Sequence, residues 1–234
     1  MNTRRFAPIT CQIRLGCQIF CLLLLTSVVV LCQGTNDSLY RKNPHYEHHL
    51  QLHAIYRTKQ TDVVMLGNSI TFGVNWNELM GRSGIVNRGI PSDVLEGFSH
   101  RLSDIIQLHP TVVCILGGIN DLYEDIPIDT VFLRYRALVD TLRKYDVVPV
   151  IQSTLYVSPR WKRYEEKNRE VAQLNSLLRT YAGLEHLEFL DLNAVLSKHG
   201  MLKDEVTTDG VHLTASGYAR WRDALEPVLK KYTK

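Results

Sequence analysis

The chain has 234 residues, 45% of them hydrophobic and 22% charged. Those values suit one well-filled globular core and exclude both a disordered chain and two ordinary domains. The formal charge of +3 comes from the first 34 residues: without Arg4, Arg5 and Arg14, the basic count falls from 27 to 24, against 24 acidic residues. A balanced body offers no basic field, so no nucleic-acid partner is expected.

Residues 1–34 read as a signal peptide or N-terminal anchor. The three arginines precede an apolar run at residues 19–32, 14 positions long. A membrane span needs about 20 such positions, and the core of a secretory signal about 7–15. The chain is therefore expected to be exported: periplasmic, extracellular or membrane-anchored, with membrane contact only through this segment if it stays uncleaved. Cys11, Cys17, Cys21 and Cys32 all fall within it, and only Cys114 remains in the body. With no internal disulfide to form, stability outside the cytoplasm must come from the core. Cys114 lies in an apolar run and reads as a small buried hydrophobe.

Residues 35–60 read as a helical lead-in. His45, His49 and His53 share a helical face, with His48 beside them, which raises a metal site as an alternative. No cysteine completes it and Glu47 lies off that face, so a solvated helix is the expected reading, with no metal and no cofactor.

From residue 61 to 234 the pattern alternates. Short apolar runs at residues 63–66, 85–87, 112–116, 147–151 and 187–190 predict strands. Longer segments at 94–108, 129–145, 163–182 and 215–230 carry helical periodicity. Strands alternating with helices imply right-handed crossovers and a parallel sheet covered on both faces. The predicted fold is α/β, a three-layer α/β/α sandwich around a five-stranded parallel sheet. In a flavodoxin-like strand order of 2-1-3-4-5, the loops after the first three strands lie side by side at the carboxyl edge, where such folds build their sites.

Those loops carry polar groups suited to chemistry. Gly67-Asn-Ser-Ile-Thr71 follows the first run, Gly89 the second, and Gly117-Gly-Ile-Asn-Asp121 the third. Ahead of the last helical segment stands Asp209-Gly-Val-His212. Residues three apart on a helical turn are neighbours, so Asp209 can hold the His212 imidazole by its Nδ1–H and leave Nε2 free to take a proton. A serine hydroxyl is a poor nucleophile until a base removes its proton, and Ser69 is the candidate that His212 would activate. An attacked ester carbonyl becomes an oxyanion that needs fixed donors. Three are on offer: the Ser69 N–H at a loop-to-helix junction, the Gly89 N–H with no Cβ in the way, and the neutral side-chain amide of Asn120.

Taken in order, Gly67-Asn-Ser-Ile-Thr71, Gly89, Gly118-Ile-Asn-Asp121 and Asp209-Gly-Val-His-Leu-Thr214 resemble the four sequence blocks of the SGNH, or GDSL-type, esterase/lipase superfamily. The resemblance spans about residue 60 to the end. It implies a flavodoxin-like fold and metal-independent ester hydrolysis. Ser69 would be the nucleophile, Asp209 and His212 its partners, and Ser69, Gly89 and Asn120 the oxyanion donors. Asn68 and Ile70 stand where the family name has Asp and Leu, which leaves the geometry of that loop open. The rival Gly-x-Ser-x-Gly elbow is disfavoured, because Thr71 occupies its fifth position and Asp209 lies only three residues from His212.

The segment after the fourth strand carries Tyr156, Arg160 and Trp161. The two aromatic rings could stack on a sugar and the arginine could hold an acidic group, or all three could pack inward. Trp76 and Tyr123 are further candidates for the mouth of the site. The expected reaction is removal of a short acyl group, acetyl above all, from a small-molecule or glycan ester through an acyl-serine intermediate. A lysophospholipase or thioesterase is the nearest enzymatic alternative, and a non-catalytic glycan-binding protein on the same fold is the alternative from another class.

Overall fold

A computed structural model describes residues 38–233. The leader expected from the sequence lies outside them. Among the described residues, no helix is long and apolar enough to cross a membrane.

The first elements are two helices, α1 (Leu39–Lys42) and α2 (Tyr46–Ile55), where a helical lead-in was expected. Then come β1 (Val63–Gly67), α3 (Ser69–Phe72), α4 (Trp76–Met80), β2 (Ile85–Gly89), α5 (Leu95–His100) and α6 (Leu102–Ile106). The middle of the chain adds β3 (Val112–Leu116), α7 (Ile119–Tyr123), α8 (Ile128–Lys144), β4 (Val148–Gln152), α9 (Tyr164–Leu184) and β5 (Glu188–Leu190). It closes with α10 (Asn193–Leu196), the two-residue strands β6 (Ser197–Lys198) and β7 (Met201–Leu202), and α11 (Ala215–Leu229).

Strands β1 to β5 form one parallel sheet in the order β2-β1-β3-β4-β5. Every residue of β1 and β3 is buried, as unbroken apolar runs covered on both faces must be. Helices α4 and α11 pack together, with α11 also against β5, while α8 packs against both α5 and α9. That is the three-layer α/β/α arrangement expected from the alternation.

One predicted helix is two. The run at 94–108 breaks at Arg101 (φ −103°, ψ 12°), which ends α5 and begins α6. Its side chain turns inward and is only 1% exposed. Nε pairs with Asp93 Oδ2 at 3.0 Å, Nη1 donates to the Arg88 carbonyl at 2.7 Å, and Nη2 to the Gly67 carbonyl at 3.1 Å. One guanidinium thus ties the carboxyl ends of β1 and β2 to the start of α5. These are the strand ends from which the site is built.

Candidate active site

Parallel register brings the three loops together. Gly67 sits beside Gly89 in β2 and beside Leu116 in β3. Two residues past Gly67, Ser69 opens α3. Asn68 caps that helix, with Oδ1 accepting the Ile70 N–H at 3.0 Å. Asparagine is a strong N-cap, so the departure from Asp costs this loop nothing in geometry. The Ser69 N–H lies in the first turn, where helix amides have no intrahelical acceptor.

His212 comes from the far end of the chain and reaches the same point. Its Nε2 lies 2.9 Å from Ser69 Oγ, and its Nδ1 lies 2.6 Å from Asp209 Oδ2. The expected pairing of Asp209 with His212 is present, but not on a helical turn. Asp209 closes a bend instead: its Oδ1 accepts the backbone N–H of Val211 (2.9 Å) and of His212 (2.8 Å). The bend is braced from outside, with the His212 carbonyl accepting from Thr207 Oγ1 at 2.7 Å and from Thr208 N at 2.9 Å. Partial burial pushes the Asp209 carboxyl up. The hydrogen bonds from the His212 ring and from the two backbone amides outweigh that and hold it at about 2. Asp209 is therefore an anion at any working pH.

Nucleophile and base are also held relative to each other. Tyr218 of α11 donates its hydroxyl to the Ile70 carbonyl in α3 at 2.8 Å. Trp76 packs edge-on against Trp221 of α11, with centroids 4.8 Å apart, and donates Nε1–H to the Thr71 carbonyl. Trp76, a candidate for the mouth of the site, is therefore a core residue that positions α3.

The oxyanion side needs one correction. Gly89 does not offer its N–H to the site, because that group donates to Asn87 Oδ1 at 2.8 Å. Glycine is required there for packing: a Cβ would come within 2.4 Å of the Phe72 backbone nitrogen. The loop runs on to Ser92, which holds a left-handed conformation (φ 59°) and lines a cleft together with Asn120. A serine rarely adopts that conformation without being held there. Here Asn43 Nδ2 holds the preceding Pro91 carbonyl at 2.8 Å, and Asp93 N donates to the Ile90 carbonyl. Asn120 is placed as expected. Gly118, at φ 100°, turns the chain into α7, and one Asn120 amide hydrogen is fixed on the Asp93 carbonyl at 2.8 Å, leaving the second for a ligand.

The cleft has a volume of about 530 Å³ and begins beside the pair at Ser92, Asn120 and Val211. Leu39, Asn43 and Pro44 of the lead-in form part of its wall, with Tyr123, Trp161 and Lys162. Ser69 and His212 stand next to this space rather than lining it.

The sequence model of the GDSL-like Lipase/Acylhydrolase family matches residues 65–220, two thirds of the chain. The chain belongs to that family. Among solved structures, a protein of Bacteroides fragilis described as an acylhydrolase superposes with a TM-score of 0.70 at 26% identity, covering 79% of this chain and 95% of that one. An acetyl xylan esterase superposes at 0.62 and 19% identity, covering 72% and 99%. An N-acylneuraminate cytidylyltransferase of Streptococcus agalactiae is 23% identical over 159 residues. The match spans 67% of this chain but only 36% of that relative's length.

For this GDSL-family chain, the structure divides the residues expected to bind substrate. Trp161 lines the cleft, edge-on to Tyr123 at 6.4 Å between centroids. Tyr156 does not; it lines a separate pocket with Tyr164, Asn168 and His199. Arg160 is not available for an acidic ligand, because it pairs with Asp204 at 3.3 Å and donates to the Thr207 and Thr208 carbonyls. It buttresses the bend that carries Asp209 and His212. Among the described residues, no group of three or more His, Cys, Asp or Glu side chains could hold a metal ion. Sequence reasoning missed Ser92, Asp93, Asn43 and Arg101. Only Arg101 had left a signal, a charge on the apolar stripe formed by Val94, Phe98 and Ile105.

Proposed function

We propose that this GDSL-family chain is a serine esterase that removes short acyl groups, acetyl above all, from a carbohydrate. The observation that carries the reading is the continuous line from Ser69 Oγ through the His212 ring to Asp209, with spacings of 2.9 and 2.6 Å. His212 Nε2 takes the hydroxyl proton as Ser69 attacks the ester carbonyl, and the Asp209 carboxylate stabilises the imidazolium. The N–H groups of Ser69 and Ser92 and the Asn120 amide receive the oxyanion. The sugar alcohol leaves with the proton from His212, and water then releases the acid from Ser69 by the same relay. Trp161 and Tyr123 suit a sugar ring at the cleft wall. The similar proteins include an acetyl xylan esterase and an N-acylneuraminate cytidylyltransferase, which is in keeping with a sugar ester. We further propose that the protein works outside the cytoplasm, on the strength of its apolar leader.

Ester hydrolysis measured across acetylated sugars, acetylated sialic acid and lysophospholipids tests the acceptor. Turnover of a lysophospholipid alone would overturn the carbohydrate reading. Asn120→Ala should lower kcat by about 10²–10³, as loss of one oxyanion donor does. A steady-state change below about threefold would remove Asn120 from that role. Asp209→Asn should lower kcat by about 10⁴, because an amide cannot fix the tautomer that leaves Nε2 unprotonated. The pH profile of kcat/KM should rise with pH through a single ionisation. Protonated imidazole cannot accept the serine proton, and Asp209, held at about 2, contributes no second limb.

A further inference from the structure

Between α2 and the sheet-edge strand β2 lies a second cavity of about 420 Å³, which shares no lining residue with the cleft beside Ser69. Arg88 lines it and is only 5% exposed. Its Nη1 donates to the Asn87 carbonyl at 2.9 Å, and its guanidinium carbon stands 5.5 Å from the centre of the Tyr56 ring. Among the described residues, no carboxylate lies within ion-pairing distance of it, in contrast to Arg101, which has Asp93. Asp104 on α6 influences it only at longer range. A buried guanidinium without a counter-ion is costly, because it gives up hydration without a paired charge in return. It has five N–H donors, and the fold uses one.

The rest of the lining carries no negative charge. His49 and His53 face in from α2, Asn75, Asn77 and Asn87 add amides, and Tyr56, Phe72 and Trp76 supply rings; no Asp or Glu is present. His53 is pushed down to about 3, first by burial and then by the charges of Arg88 and Arg101, with His49 adding to it. His49 is lowered by burial and by His48, His45 and Arg101. Both imidazoles are therefore held toward the neutral form beside Arg88 and Arg101 and can gain a proton if negative charge arrives.

We propose that this cavity is a second ligand site, taking a small molecule whose carboxylate or phosphate group pairs with Arg88 and whose ring lies against Tyr56 and Phe72. An oxyanion supplies the missing counter-ion, and the planar guanidinium matches its geometry.

The test is titration of the purified protein with inorganic phosphate and, separately, with glucuronate, at ionic strength matched by chloride. Calorimetry and the histidine ring resonances are followed together. Saturable binding is expected with at least one probe, accompanied by protonation of His53 at higher pH than in the free protein, while His186 and His199 stay unmoved. Arg88→Met should weaken binding by about thirtyfold or more, as loss of one member of a buried charge pair does. Phosphate alone binding would assign a phosphate ligand, and glucuronate alone a sugar acid. No saturable response to either probe, or the same response to chloride, would overturn the site. Equal affinity in Arg88→Met would do the same. If that variant does not fold, the His53 shift in the wild-type protein decides the matter.

Discussion

Ser69→Ala should lower kcat/KM for p-nitrophenyl acetate by about 10⁴-fold or more while leaving the fold intact. Removing the nucleophile from such a triad costs about as much as removing all three members, because the relay has nothing left to activate. The oxygen lost makes one side-chain hydrogen bond, to His212 Nε2, and Ser69 is only half-buried. Its deletion should therefore leave thermal stability within the small range of surface substitutions, about 0.5 kcal/mol. The two readouts together discriminate. A large activity loss with an unchanged melting temperature assigns chemistry to Ser69. A joint loss would mean that the hydroxyl is structural, and an unchanged rate would leave the chain as a binding protein on a hydrolase fold. The first burst of p-nitrophenol carries separate information: a stoichiometric burst reports acyl-serine accumulating before water releases it.

The strands were legible because buried parallel strands are written as unbroken apolar runs. The run at 112–116 is β3 to the residue, and the others shift by one or two positions at their ends. The long helices α8, α9 and α11 were legible for a related reason, since each carries an apolar stripe over at least four turns. Helices α3, α4 and α7, at four or five residues, are too short to show a period. Arg101 is where helical periodicity misled. The stripe continues through residues 94–108, but a buried cation with three partners outside the helix pulls the backbone out of register at that point.

Ser69, Asp209 and His212 were legible because their residue types have few other reasons to appear in that order, one after a strand and two ahead of the last helix. The oxyanion loop was not. Gly89 looked suitable because it lacks a Cβ, yet that space is filled by Phe72 and its N–H is taken by Asn87. Ser92 is left-handed because Asn43, 49 residues earlier, grips the carbonyl before it. No local sequence pattern encodes a conformation imposed from so far away. Arg160 shows the converse. It follows β4, where a substrate contact was one of two open readings, but it is consumed in bracing residues 204–208.

Arg101→Met should lower stability by about 3–5 kcal/mol, the cost of breaking a buried ion pair from one side. For a chain of this size that is a fall in melting temperature of about 6–20 °C. The upper part of the range is expected, because the loss does not end with the pair. Asp93 is left buried without the cation whose charge and hydrogen bond hold its carboxyl down to about 6 against the rise that burial imposes. The carbonyls of Arg88 and Gly67 lose a donor at the same time. Asp93→Asn is the informative companion. An asparagine has one side-chain oxygen, so it keeps only one of the bonds from Val94 N and Arg101 Nε, but Arg101 keeps its bonds to the Arg88 and Gly67 carbonyls, and the change should cost less than Arg101→Met. The two variants should also part in activity. Gly67 precedes the Ser69 loop and the Asp93 carbonyl holds Asn120, so a shift of the strand ends in Arg101→Met should depress kcat even well below its melting temperature. Thermal unfolding and kcat measured on both variants decide the matter. A melting temperature for Arg101→Met within about 2 °C of wild type would mean that the β1 and β2 ends are held by the sheet alone and that the buried pair is incidental to the site.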